Sequence, residues 1–272
     1  MSTVTRVDLA AAAPRWVRDL LAGSSGEATV VHAGIDALYL AAGRDVLAVT
    51  TRAAVQVPCA LRTTLTTTAD LSASGEVPPA GTPVAIGARG LRFGGATVRI
   101  ARTIDASAPR IDPATVPVMA ERLSAALGPG HPRHRTELPQ AGLRLLEAAE
   151  PDAALALLGR GSGLTPVGDD VLCGWLATMV AASYPGVGPV AERVVDLADQ
   201  RTTALSATLL RRSVHAEVVP QFGQLLSVLA NSATDPAESL ASVTRIGHTS
   251  GDGLVLGLSL ALDHLAPRSS CS

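Results

Sequence analysis

The stretch Gly161-Ser-Gly-Leu-Thr-Pro-Val-Gly-Asp-Asp170 combines residue types suited to holding a small charged ligand. Gly159, Gly161 and Gly163 let the backbone approach a ligand closely and adopt positive φ. Pro166 fixes a turn, and Asp169 or Asp170 is expected to cap or open the helix that follows. A helix N-terminus exposes unpaired N–H groups and the positive end of the macrodipole, which suits phosphate or carboxylate. The adjacent carboxylates of Asp169 and Asp170 bring a second chemistry. They can hold Mg²⁺ that bridges to an anionic ligand, or accept the amide N–H groups of a ligand. A plainer reading makes Asp169 an N-cap, Asp170 a dipole partner and the glycines a tight entry loop.

Gly247-His-Thr-Ser-Gly-Asp-Gly253 echoes this motif. Each has a Gly-Asp pair, Gly168-Asp169 and Gly251-Asp252, with another glycine, Gly174 or Gly257, six residues after the first. A glycine inside a helix costs roughly 1 kcal/mol relative to Ala, and close helix–helix or helix–loop approach would explain tolerating that twice. The two helix N-termini are therefore expected to point at a shared site. A third segment, Arg201-Thr-Thr-Ala-Leu-Ser206, places Thr203 and Ser206 on one helix face with Arg201 as a counter-charge; its plain reading is an N-cap at Thr202 or Thr203. The expected ligand-binding set is Arg160, Gly161, Ser162, Gly163, Leu164, Thr165, Pro166, Gly168, Arg201, Thr203, Ser206, Thr249, Ser250, Gly251 and Asp252. His248 is the candidate acid, base or donor to a carbonyl, with Asp169 and Asp170 as catalytic or Mg²⁺-ligating carboxylates. No Gly-x-Ser-x-Gly surrounds Ser162 or Ser250, which argues against a nucleophile elbow.

Composition narrows the field further. The 272 residues are 47% hydrophobic and 17% charged, enough for a sizeable core. Aromatics make up 2%, so stacking platforms for single-stranded nucleic acid are lacking. A net charge of -2 with scattered arginines leaves no basic footprint for DNA or RNA. Every one of the 22 basic residues is arginine. Schiff-base lysines, Walker-type loops and Ser-Lys dyads are thereby excluded, and an anion must be met by Arg, backbone N–H or metal. Cys59, Cys173 and Cys271 fit no zinc or disulfide spacing. No cationic segment followed by an apolar run opens the chain, and apolar stretches break before about 18 residues. The expectation is a soluble cytoplasmic protein without nucleic-acid or membrane partners.

The elements that must position these residues divide into two textures. Residues 27–104 are rich in Val, Thr and Gly, with strands expected at Ala28–His32, Ala37–Leu40, Asp45–Thr50, Leu61–Thr67, Thr82–Ile86 and Ala96–Ile100. A short helix is expected at Pro14–Ala22. From Pro113 the pattern is helical, with Pro recurring near first turns. Helices are expected at Pro113–Leu127, Pro139–Ala149, Pro151–Leu158, Asp169–Ser183, Pro189–Gln200, Thr203–Arg212, His215–Leu229, Asp235–Arg245 and Asp252–Leu265, with a basic loop at His131–Arg135. The fold class is α+β: a β-rich N-terminal domain, residues 1–110, forming a small antiparallel sheet or barrel, then an α-helical bundle, residues 111–272, that carries the glycine-rich motifs.

Gly161–Asp170 with Leu172-Cys-Gly174, the Thr-Thr-x-x-Ser segment at Thr202–Ser206, and Ile246–Gly253 together resemble the AllH-like family. That family includes a subunit associated with oxamate carbamoyltransferase in anaerobic allantoin degradation. The resemblance covers the helical half well and the β-rich half by order and length only. Val167 stands where serine is frequent in the family, and Gly253 where a bulkier residue occurs. The resemblance implies carbamoyl transfer between oxamate and phosphate, performed with partner subunits on a small anionic, carbamoyl-type ligand. Arg160 or Arg201 would neutralise phosphate, while Thr165, Ser250 or His248 would polarise the carbonyl. Two other readings stand beside it: a binding or regulatory module that holds a ligand without turnover, and a Mg-dependent phosphotransferase using Asp169 and Asp170.

Overall fold

The computed structural model describes residues 7–23, 25–88, 90–128 and 138–266. The chain forms two compact units, Met1–Ala106 and Ser107–Ser272. His131–Arg135 and Cys271 lie outside the described residues.

In the first unit the strands are β1 (Val7–Pro14), β2 (Gly26–Ala33), β3 (Ala37–Ala42), β4 (Asp45–Thr50), β5 (Ala60–Arg62), β6 (Pro83–Gly87), β7 (Gly90–Arg92) and β8 (Ala96–Ile104). They close into a barrel in the order β1-β5-β4-β3-β2-β6-β7-β8. β1 pairs in parallel with β8, and β4 with β5; the other neighbours are antiparallel. Closure removes the unpaired edges that an open sheet of this kind would expose. Alternation along β2 and β3 sends Ala28, Val30, Leu38 and Leu40 inward, where Leu47, Val49, Leu61 and Leu91 meet them. Ala11, Ala13 and Ala96 keep the interior narrow, and Val17 and Leu21 of helix α1 (Arg15–Gly23) join the same core.

Two differences from expectation have physical causes, one local and one long-range. The run Leu61–Thr67 keeps only Ala60–Arg62 in the sheet. Thr63 turns its hydroxyl to the Thr50 carbonyl at 2.8 Å and accepts the Leu65 N–H at 3.2 Å, a side-chain alternative to the ladder. The alanine-rich β1 carries little intrinsic strand preference; its pairing with β8, some ninety residues later in the chain, supplies the hydrogen bonds.

The second unit holds α2 (Val116–Leu127), α3 (Gln140–Glu147), α4 (Ala153–Leu157), α5 (Val167–Ala181), α6 (Gly188–Arg201), α7 (Ala204–Ser213), α8 (Pro220–Ala230), α9 (Ala237–Thr244) and α10 (Ser250–Leu265). α5 and α10 are buried on nearly every side, the mark of central helices. The helix expected from His215 begins only at Pro220. Proline drives the residue before it into extended backbone, and Ala216, at φ +56°, already leaves the helical path. Residues 216–217 instead meet Ser107 and Ala108 through a bridge and an N–H···O bond of 2.7 Å.

Arg122 of α2 closes the C-terminus of α8. Its guanidinium donates to the carbonyls of Val228 and Leu229, each at 3.1 Å, and to those of Asn231 and Thr234. A cation on the last carbonyls also complements the helix dipole. Arg122→Ala is expected to lower stability by about 2 kcal/mol, read as a fall in the denaturant midpoint at unchanged m. Arg122→Lys should recover only part, because a point charge cannot reach four carbonyls. No helix among the described residues is long and apolar enough to cross a membrane.

Candidate functional site

α5 opens one turn earlier than its acidic pair suggests. Pro166, at φ -53° and ψ 138°, is the N-cap, and Val167 the first helical residue. Asp169 and Asp170 therefore neither cap nor open the helix; they sit inside its first turn, both buried. Their N–H groups return to the Pro166 carbonyl at 2.9 and 3.2 Å, and the Gly168 N–H goes to the Arg160 carbonyl at 2.9 Å. The entry loop and the N-cap carbonyl thus take three N–H groups of the first turn, those of Gly168, Asp169 and Asp170. Gly161 and Gly163 hold left-handed backbone, φ +106° and +94°, and residues 160–164 stand exposed.

With the helix capped by its own loop, the carboxylates face sideways. Asp169 accepts the Gly159 N–H at 2.8 Å on Oδ1 and the Thr202 hydroxyl on Oδ2, with Ser206 alongside. Burial pushes its carboxyl above the ordinary 3.8, and those donors pull it partly back. Asp170 faces Ser250 and Thr165. Burial raises its carboxyl well above 3.8; the Ser250 hydroxyl opposes this and the neighbouring Asp169 charge adds to it. Its Oδ2 is buried without a hydrogen-bond partner. One turn on, the Cys173 thiol is driven well above its ordinary 9.0 by burial, then by Asp170 and Asp169. None of the groups shifting these three is a cation.

The three motif segments meet. The Thr165 and Ser250 hydroxyls lie 2.8 Å apart, joining the first loop to the start of α10. Thr203 caps α7 by accepting the Ser206 N–H at 3.1 Å, and donates its own proton to the Leu164 carbonyl at 2.6 Å. The loop residue Gly159 packs on the Arg201 carbonyl. On the α10 side, Gly251 gives its N–H to the Ile246 carbonyl at 3.0 Å, and Gly253 gives its N–H to the Thr249 carbonyl at 2.9 Å. Arg160, Ser162, Arg201, Arg245, His248 and Thr249 are exposed on these segments, while Thr165, Thr203, Ser250 and Asp252 are half-buried. Ser206 is buried behind them. The result is a floor of hydroxyls over two buried carboxyls, with arginines on the surrounding loops. Among the described residues no group of three His, Cys, Asp or Glu side chains is arranged to hold a metal ion.

Beneath the site, α5 and α10 cross through glycine. A Cβ on Gly174 would lie 2.3 Å from the Leu254 carbonyl oxygen, and one on Gly257 2.1 Å from that of Val171. Gly253 likewise abuts Asp170, where a Cβ would lie 2.8 Å from the aspartate Cβ.

Sequence reasoning overlooked three participants: Thr202, read as a cap; the Gly159 N–H; and Cys173, whose i+3 and i+4 spacing from Asp170 and Asp169 already put it on their face. The Thr165–Ser250 pair, 85 residues apart in the chain, left no local signal.

Comparison with curated proteins and with solved structures returns no match. Residues 157–262, the span that contains all three loops, α5 and most of α10, match the model of the family described as oxamate carbamoyltransferase subunit AllH, the family its motifs resemble.

Proposed function

We propose that this protein is a cytoplasmic subunit of a carbamoyltransferase of the oxamate and carbamoyl phosphate type, acting in allantoin degradation with partner subunits. The ligand is a small anion bearing a carbamoyl group, and it binds on the hydroxyl floor formed by 159–166, 201–206 and 247–253. The observation that carries this is the joining of the three segments by the Thr165–Ser250 and Thr203–Leu164 hydrogen bonds within the family-matched span. Arg160 and Arg201 on the surrounding loops are suited to neutralising the anionic end. The Thr165 and Ser250 hydroxyls are suited to polarising a carbonyl, and exposed His248 is free to serve as acid or base.

Arg201→Ala is expected to weaken binding of carbamoyl phosphate about 10- to 100-fold, the effect of losing a hydrogen bond to a charged group. Titration calorimetry on the purified chain measures this, with melting temperature as the control for folding. Turnover of carbamoyl phosphate is then assayed with and without the partner subunits. Turnover that appears only in the complex supports the subunit reading. Tight binding with no turnover in the complex makes the protein a ligand-holding module, and an unchanged Kd in Arg201→Ala removes arginine from the site.

A further inference from the structure

We propose that the barrel carries an anion site of its own, which takes the phosphate group of a small organic phosphate among Arg18, Arg92 and Arg99. It is independent of the reading given to the three-loop site.

Alternation along the last three strands builds it. Val84 of β6, Leu91 of β7 and Val98 of β8 belong to the core, so Ala85, Gly87, Gly90, Arg92, Thr97 and Arg99 face outward. The register sets Ala85 against Arg92, Gly87 against Gly90, and Arg92 against Thr97. Two arginines thus rise from a floor of alanine and glycine. The trough they border, with Gly87, Gly90 and Thr97, has a volume of about 240 Å³. Gly90 and Arg99 also border a second hollow of about 400 Å³, completed by Arg18 and Leu21 of α1 and by Ile100 of β8. That volume falls within the range of small-ligand pockets, and Leu21 and Ile100 give it an apolar wall.

The two glycines keep the floor bare for different reasons. Gly90 has a φ of +128°, and a Cβ there would lie 2.0 Å from the Val98 carbonyl oxygen, so the packing of the backbone requires it. Gly87 lies outside the left-handed region, and a Cβ there would meet nothing within 4 Å. Glycine weakens a strand, and where no backbone crowds it the close approach of a ligand is a reason to keep it.

The guanidiniums are oriented but not used up. Arg99 gives one N–H to Asp8 at 2.5 Å. Arg18 gives two to Asp19, at 3.1 and 2.9 Å, and one to the Thr103 hydroxyl at 3.3 Å. A guanidinium carries more N–H donors than these bonds consume, so both arginines keep some for a ligand. Arg92 holds no ion pair among the described residues, although Glu27 stands beyond Ala85 in the same outward row. One guanidinium fork already matches a planar carboxylate. A tetrahedral phosphate offers oxygens in several directions and suits forks that arrive from α1, β7 and β8.

The test titrates inorganic phosphate, then phenyl phosphate, into the full chain and follows backbone amide resonances by NMR. Both should shift the Gly87 and Gly90 amides, and phenyl phosphate should bind about tenfold more tightly through the apolar wall. Arg99→Ala is expected to weaken that binding about 10- to 100-fold, the loss of hydrogen bonds to a charged group. Arg92→Ala breaks no ion pair and carries the test if Arg99→Ala lowers the melting temperature. Gly87→Val fills the trough without backbone strain and should raise the Kd about tenfold at an unchanged melting temperature. Arg201→Ala should leave the two glycine shifts as they are, and oxamate should not produce them. An unchanged Kd in the three barrel variants, or shifts confined to residues 159–166, 201–206 and 247–253, overturns the barrel site and leaves the three-loop reading standing. Shifts of Gly87 and Gly90 with oxamate overturn the choice of phosphate, and equal affinity for the two phosphates overturns the organic body.

Discussion

Gly257→Ala is expected to destabilise the helical unit by about 3 kcal/mol, the upper part of the range for overpacking a core, although alanine is the better helix former by about 1 kcal/mol. The new Cβ would lie 2.1 Å from the Val171 carbonyl oxygen and 2.7 Å from the Trp175 amide nitrogen. Both are backbone atoms of α5, so no side-chain rotamer change relieves the clash. The helices must move apart, and that opens the packing around fully buried Trp175 and Leu256. In a unit of this size about 3 kcal/mol corresponds to a melting temperature lower by roughly 10 °C, measurable by calorimetry or circular dichroism. Gly174→Ala, facing the Leu254 carbonyl at 2.3 Å, should cost a similar amount. Once one substitution has spread the crossing, the second meets more space. The double variant is therefore expected to lose less than the sum of the two. Melting temperatures equal to wild type would mean that the helices do not cross as closely as described.

This crossing was foreseeable because a glycine inside each of two apolar helices demands a packing reason. The helical half was legible on similar grounds. Proline near the first turns of α2, α6 and α8, and Gly128 after α2, mark boundaries through fixed φ, missing donors and left-handed backbone. In the β-rich half, a short alternating run names a strand but not its neighbours. The parallel closure of β1 on β8 is a long-range pairing with no local signature. The same limit applies at the site. The three motifs could be picked out by type and spacing, but not which oxygen takes which proton. That Asp169 accepts from Gly159 and Thr202 while Asp170 turns to Ser250 follows from where Pro166 starts α5, one turn ahead of the acidic pair. Residue type offered both carboxylates for catalysis or Mg²⁺ binding, or as a cap and a dipole partner. Their surroundings make them different: one has donors on both oxygens, the other has an oxygen with none.

That difference predicts an unusual pH dependence of stability. A carboxyl whose folded value is raised binds its proton more tightly folded than unfolded, so its contribution is fully present below the unfolded value of 3.8 and is lost as pH rises through the folded value. For Asp170 the loss approaches about 1.4 kcal/mol per pH unit within that window, one proton taken up on folding. Asp19, exposed and held low first by its hydrogen bond to Arg18, has the opposite sign. Comparing wild type with Asp170→Asn isolates the buried group. Asparagine cannot ionise, so the variant should gain stability relative to wild type as pH rises from 3.8 toward neutral, and the difference should shrink as pH falls back toward 3.8. Denaturant midpoints across the acid-to-neutral range, at constant m, measure it. Asp169→Asn should behave otherwise. Its Oδ1 and Oδ2 accept from Gly159 and Thr202, and an amide keeps only one acceptor oxygen and carries no charge, so the two charge-assisted bonds become neutral ones. The variant is expected to be less stable, by about 2 kcal/mol, at every pH at which the wild-type carboxyl is ionised. Equal pH slopes for wild type and Asp170→Asn would show that Asp170 is ionised in the folded protein and that its buried oxygen finds a donor after all.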